Sequence, residues 1–151
     1  MSTVIGAERT RVWRALTEAA EVVRWDERVL ALVEPADEYP QVGRKVHWRY
    51  RLGAIPVVLH ECPLEVIPDA RLRSSIALGL FHFDETFQLA PEPGERTRLS
   101  LKLVASNSIP VVGGVLDRFA VRRLANEFID GKLRAVQKWC ESPPPRRRRS
   151  R

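Results

Sequence analysis

Between Arg28 and Ser106, apolar residues return at every second position in six runs separated by turn-forming residues. After Ser106 a helical period takes over. That order constrains the fold more than any single motif. Side chains alternate faces along a strand, so each run has one dry side and one wet side. In "RKVHWRYRL", Val46, Trp48, Tyr50 and Leu52 share a face, opposite Lys45, His47, Arg49 and Arg51. Leu72, Ser74, Ile76, Leu78 and Leu80 align in "RLRSSIALGL", as do Thr97, Leu99, Leu101 and Leu103 in "RTRLSLKLVAS". The short connections "LGAIP", "PDA" and "APEPGE" predict an antiparallel meander with one buried face. "VVLHECPLEVI" is ambiguous, because Pro63 lacks a ladder donor and marks an edge or a bulge.

A dry sheet face needs a cover. The final helix, predicted over 115–141, is the element large enough to supply it. Val121, Ala125, Phe128, Ile129, Val136 and Trp139 fall on one side of that helix, with Arg123, Glu127, Asp130, Arg134 and Lys138 opposite. Upstream, "AERTRVWRALTEAAEVVRW" carries Val12, Leu16, Ala19 and Val23 at helical spacing, with room for a break before Trp25. "STVI" makes a short first strand. The expected fold is α+β: a curved antiparallel sheet of six to seven strands gripping a long C-terminal α-helix, with short N-terminal helices.

"FHFDETFQL" places chemistry against this frame. His82, Asp84, Thr86 and Gln88 take the wet side, while Phe81, Phe83, Phe87 and Leu89 take the dry one. Glu85 stands among the phenylalanines. A carboxylate there must ionise against a desolvation cost, stay protonated or meet a cation. Arg118 and Arg122 lie four apart near the apolar stripe of the last helix, so Arg122, or Arg118, is the expected partner. His47 and His82 read as solvated. His60, beside Cys62 on the ambiguous run, is read as a half-buried histidine, and residues two apart on a strand do not converge as a Cys–His pair.

The net charge of +6 and the pI of about 10 point to nucleic acid until the charges are located. Five of the 25 basic residues are Arg146, Arg147, Arg148, Arg149 and Arg151, and without them 20 basic residues face 19 acidic ones. The basicity belongs to residues 142–151, "SPPPRRRRSR", expected to be a disordered tail after a domain spanning 1–141. Such a tail can contact anionic membranes weakly. A body without a basic stripe argues against nucleic-acid binding. The two cysteines make neither a disulfide framework nor a metal-ligand set, and no apolar run is long enough for a signal peptide or a span. The expectation is a reduced cytoplasmic protein.

The segments "IGAERTRVWRAL", the "VG" before the second long strand, "EVIPDARL" and "TFQL…TRLSL" occur in an order that resembles the helix-grip (SRPBCC) superfamily. That superfamily contains START lipid-transfer domains, polyketide cyclase/dehydrase-like proteins and Bet v 1-like proteins. The resemblance spans nearly the whole chain outside the tail. It implies a deep apolar cavity between the sheet and the last helix that holds a lipid, sterol, polyketide or quinone-like molecule. It implies no shared catalytic set, and neither a cofactor nor a metal is expected. Trp48, Tyr50, Ser74, Phe83, Glu85, Phe87 and Arg122 are the candidate ligand-binding residues. Carriage or binding of a hydrophobic small molecule is the leading expectation. The alternatives are a cyclase- or dehydratase-type enzyme, with Glu85 as acid or base and Tyr50 as donor, and a peripheral membrane lipid or quinone chaperone. A converging Glu85 and His60 would favour the enzyme.

Overall fold

A computed structural model of the 151-residue chain describes residues 1–34, 39–79, 81–105 and 118–143. Strand β1 (Ser2–Ile5) leads into helices α1 (Arg9–Thr17) and α2 (Ala19–Trp25). Six strands come next: β2 (Val29–Glu34), β3 (Val46–Leu52), β4 (Ile55–Ile67), β5 (Arg71–Leu78), β6 (Phe81–Glu92) and β7 (Arg96–Ala105). Helix α3 (Arg118–Glu141) closes the chain. The chain is a helix-grip α+β fold. Its seven strands form one antiparallel sheet in the order β1-β7-β6-β5-β4-β3-β2.

Consecutive strands from β2 to β7 are neighbours, which is the meander that the short connections demand. The two-residue connection from β3 to β4 turns at Gly53, whose φ of +63° suits a residue without a Cβ. Short as it is, β1 makes a true sheet edge, pairing Thr3 with Leu99 and Ile5 with Thr97. It is also tied to α3, since Thr3 Oγ1 donates to Gln137 Oε1 and Gln137 Nε2 donates to Val4 O.

The first helical pattern breaks at Glu18, whose extended backbone separates α1 from α2. Trp25 folds back so that Nε1 donates to Ala15 O at 2.7 Å, holding the two helices together. Glu21 then joins all three helices, accepting from Arg11 Nη1 and from Trp139 Nε1.

The alternation of β3, β5, β6 and β7 survives in three dimensions. Val46, Trp48, Tyr50, Leu72, Ser74, Ile76, Glu85, Phe87, Leu89, Thr97, Leu99 and Leu101 are buried. Leu52 and Phe81, read as dry, are half exposed, at the hairpin ends of β3 and β6. Leu80 and residues 106–117 lie outside the described residues, as do 144–151, which hold the arginines of the tail. Ile129, Leu133 and Val136 of α3 are buried against the sheet, completing a core with Val12, Ala15 and Leu16 of α1.

Pro63 marks a bulge inside the sheet rather than an edge. Pairing with β5 shifts between Pro63, opposite Ser74, and Glu65, opposite Arg73. A bulge adds one residue to one strand and flips the parity of the residues beyond it. Ahead of it Glu61 and Pro63 are buried, and behind it Val66 packs against the core. That local irregularity decides what β4 presents to the interior beyond Pro63, while pairing with β3 sets the part before it.

Candidate functional site

The buried sheet face and α3 enclose two connected spaces. The inner one is a small chamber of about 60 Å³, lined by residues of β3–β6, α2 and α3, with Asp26, Tyr39, Glu61, Glu85 and Lys132 as its polar walls. In this measure a water molecule needs roughly 10–15 Å³, so the chamber fits a few waters or the polar end of a ligand. The outer space is a partly open groove of about 870 Å³. Leu52, Leu78, Phe81, Leu103 and Ala125 line it, with Arg28, Arg51 and Arg122 as its cations. Tyr50, Leu59, Phe83 and Phe128 border both spaces and form the neck between them.

Glu85 is buried on the phenylalanine face, as its position in β6 requires. Its partner differs from the expected one. Lys132 Nζ donates to Glu85 Oε2 at 2.7 Å and Oε1 at 2.9 Å. Arg122 is exposed and lines the outer groove instead, and the side chain of Arg118 lies outside the described residues. The reason is axial position. Lys132 lies four residues after Phe128 and four before Val136, on the apolar stripe where α3 crosses β6. Arg122 sits ten residues earlier, roughly 15 Å away along the helix at 1.5 Å per residue.

The lysine is sandwiched in its place. Nζ lies 5.4 Å from the Phe87 ring centroid and 5.5 Å from that of Phe128, within cation–π range. Burial works to lower its pKa, but the charges of Glu85 and Asp26 and the hydrogen bonds to Glu85 outweigh it, and the net shift is upward. Lys132 is therefore an ammonium at neutral pH.

Glu61 is the residue that periodicity missed. The run containing it was ambiguous at Pro63, and unbroken pairing with β3, which sets Glu61 opposite Val46, puts it on the inward face. Its Oε2 accepts from Trp48 Nε1 at 2.7 Å, and its Oε1 from Ser74 Oγ at 2.7 Å and Tyr39 OH at 3.1 Å. Ser74 lies directly opposite Glu85 in the β5–β6 pairing, so the polar row runs from β6 through β5 to β4. Burial raises the Glu61 pKa most, with the Glu85 charge adding, against the lowering effects of Ser74, Trp48 and Lys132. Burial and the Glu61 charge hold Tyr39 well above its usual range, so it remains a hydroxyl donor.

Of the residues singled out in the sequence, Trp48, Tyr50, Phe83, Glu85 and Phe87 line the inner chamber. Ser74 stands behind Glu61, and Arg122 is at the outer groove. The Tyr50 hydroxyl accepts a long contact of 3.5 Å from Arg28 Nη1, and the Arg28 guanidinium lies 4.5 Å from the Phe128 centroid. His60 is exposed on the outer sheet face against His47, with ring centroids 4.6 Å apart, so it cannot converge with Glu85. His82 is exposed as expected. Among the described residues no cluster of three or more His, Cys, Asp or Glu could hold a metal, and no helix is long and apolar enough to cross a membrane.

The model of the family described as polyketide cyclase / dehydrase and lipid transport matches residues 1–141. Among solved structures, a START superfamily protein from Mycobacterium smegmatis superposes with a TM-score of 0.74 at 12% identity, over 93% of this chain and 94% of that one. Protein TTHA0849 from Thermus thermophilus is 25% identical over 93% and 94% of the two chains, with a TM-score of 0.67. DynU16, a putative protein in the dynemicin biosynthetic locus, is 16% identical with a TM-score of 0.70. This chain is covered to 94% in that match but spans only 46% of the DynU16 chain. None of the functionally curated proteins matches the sequence.

Proposed function

The chain belongs to the polyketide cyclase/dehydrase and lipid-transport family, and on that premise we propose that it holds a hydrophobic small molecule between its sheet and α3, as a carrier or binding protein. One observation carries this reading. An apolar groove of about 870 Å³ narrows through an aromatic and aliphatic neck into a smaller, mostly apolar chamber that carries Glu61, Glu85 and Lys132. Ligand sites are typically apolar concavities of ~300–1,000 Å³ with a few placed polar groups. Trp48, Phe83 and Phe87 supply the flat walls suited to a ring-bearing molecule, and Tyr50, Glu85 and Lys132 the groups that orient it. Arg122 serves at the mouth of the groove.

A second reading, a cyclase- or dehydratase-type enzyme on a polyketide-like or aromatic substrate, draws on the buried Glu61, Glu85 and Lys132. Glu61 and Lys132, whose pKa values are shifted upward in the cavity, are the kind of groups suited to proton transfer. Family membership accommodates both readings, since function on a shared fold is set by the site. The membrane-chaperone reading rests on the arginines of the tail, outside the described residues.

Native mass spectrometry of protein purified from its own host tests the proposal. A co-purifying small molecule of low polarity, released on denaturation and absent from a variant with the neck filled by Leu59→Trp, is the expected result. Protein that carries no ligand and takes up no apolar dye would overturn it.

A further inference from the structure

The inner chamber is charged unevenly. Asp26, Glu61 and Glu85 line it against a single ammonium, that of Lys132. Lys132 uses two of its three N–H donors on Glu85, which leaves one donor for another acceptor. Asp26 Oδ1 accepts the backbone N–H of Arg28 at 3.1 Å. Glu61 is held entirely by neutral donors, the Trp48 indole and the Ser74 and Tyr39 hydroxyls. No cation lies within ion-pair distance of it among the described residues. With two bonds on Oε1 and one on Oε2, its Oε2 keeps an open acceptor position.

These groups discriminate among ligand ends. A carboxylate would be a fourth acid in a space of about 60 Å³, with no proton to offer Glu61. An ammonium would suit Glu61 but meets Lys132 in the same chamber, after passing Arg28 at the neck beside Tyr50 and Phe128. A ketone accepts from Lys132 and leaves Glu61 unanswered. A hydroxyl donates to one group and accepts from the other, and adds no charge. We propose that the inner chamber selects ligands ending in a neutral alcohol or phenol, with Glu61 as hydrogen-bond acceptor and Lys132 as donor, and excludes carboxylates. This deepens the cavity-binding reading and rests on it.

The test uses four probes of one shape on the full chain at pH 7.5: naphthalene, 2-naphthol, 2-naphthoate and 2-naphthylmethylammonium. Quenching of tryptophan fluorescence reports binding, Trp48 being a wall of the chamber. The expected result is 2-naphthol tightest, with 2-naphthoate weaker by about ten-fold or more. Glu61→Gln should narrow that gap several-fold by tightening 2-naphthoate. The Gln side chain can face its oxygen to Trp48 and its amide to the Ser74 and Tyr39 hydroxyls, which also accept. Naphthoate or the ammonium binding as tightly as naphthol overturns the inference and leaves the cavity reading standing. So does a naphthol-to-naphthoate gap unchanged in Glu61→Gln. Failure of all four probes, naphthalene included, overturns the cavity reading itself and the inference with it.

Discussion

Lys132→Met should destabilise the protein by about 3 kcal/mol, near the lower end of the 3–5 kcal/mol typical when one partner of a buried ion pair is removed. The magnitude is set by geometry. Nζ is 2.7 and 2.9 Å from the two Glu85 oxygens, and the two side chains are 16% and 9% exposed. At an effective dielectric near 20, charges ~3 Å apart attract by roughly 5–6 kcal/mol. Desolvation of both ions offsets part of that gain, and the residual exposure lessens the penalty left on Glu85 alone. Methionine keeps the stem volume and a favourable contact with Phe87 and Phe128, so the measured loss reports charge rather than a void. Urea denaturation of wild type, Lys132→Met, Glu85→Gln and the double variant gives the cycle. The double variant should lose less than the singles added, by about 1.5 kcal/mol or more. For a chain of this size, a loss of about 3 kcal/mol corresponds to a Tm lower by roughly 6–12 °C. A loss under about 1 kcal/mol for Lys132→Met, or additive singles, would refute the argument that this pair is buried and coupled. If Glu85→Gln left Tm alone and changed ligand affinity, the pair would be a ligand anchor rather than a structural bridge.

Glu61 has a pKa raised in the folded state, so the native protein binds a proton there that the unfolded chain has already released. Stability from this group is intact below the unfolded carboxylate range and falls as pH rises through it toward the folded value. Thermal melts of Glu61→Gln and wild type should therefore diverge in favour of the variant as pH rises above the unfolded carboxylate range of about 4; parallel profiles would contradict the shift. Trp48→Ala should weaken dye uptake far more than His82→Ala, because Trp48 is a buried chamber wall and His82 is exposed on the outer face; equal effects in a fluorescence titration would misplace the cavity. Truncation after Ser142 should leave Tm and dye binding unchanged, since Ser142 closes α3 by bonding to Lys138 O. Any affinity for anionic vesicles should fall with that truncation and with added salt; a large loss of Tm would contradict the division at 142.

Local periodicity was enough to determine much of this protein. The alternation in β3, β5, β6 and β7 assigned Trp48, Ser74, Glu85 and Phe87 to the interior, because strand parity depends only on neighbouring residues. Short connections determined strand order, and the spacing of Ile129 and Val136 determined which side of α3 covers the sheet. Two features were decided only by tertiary structure. The parity of β4 beyond Pro63 depends on the bulge, and Glu61, ahead of it, was placed inside only once its pairing opposite Val46 of β3 was known. The cation for Glu85 depends on where along its axis α3 meets β6. Helical period gives the face of Arg122 and Lys132 alike but not that axial register. Packing sets the register, and it brought Lys132 to the carboxylate and left Arg122 at the mouth.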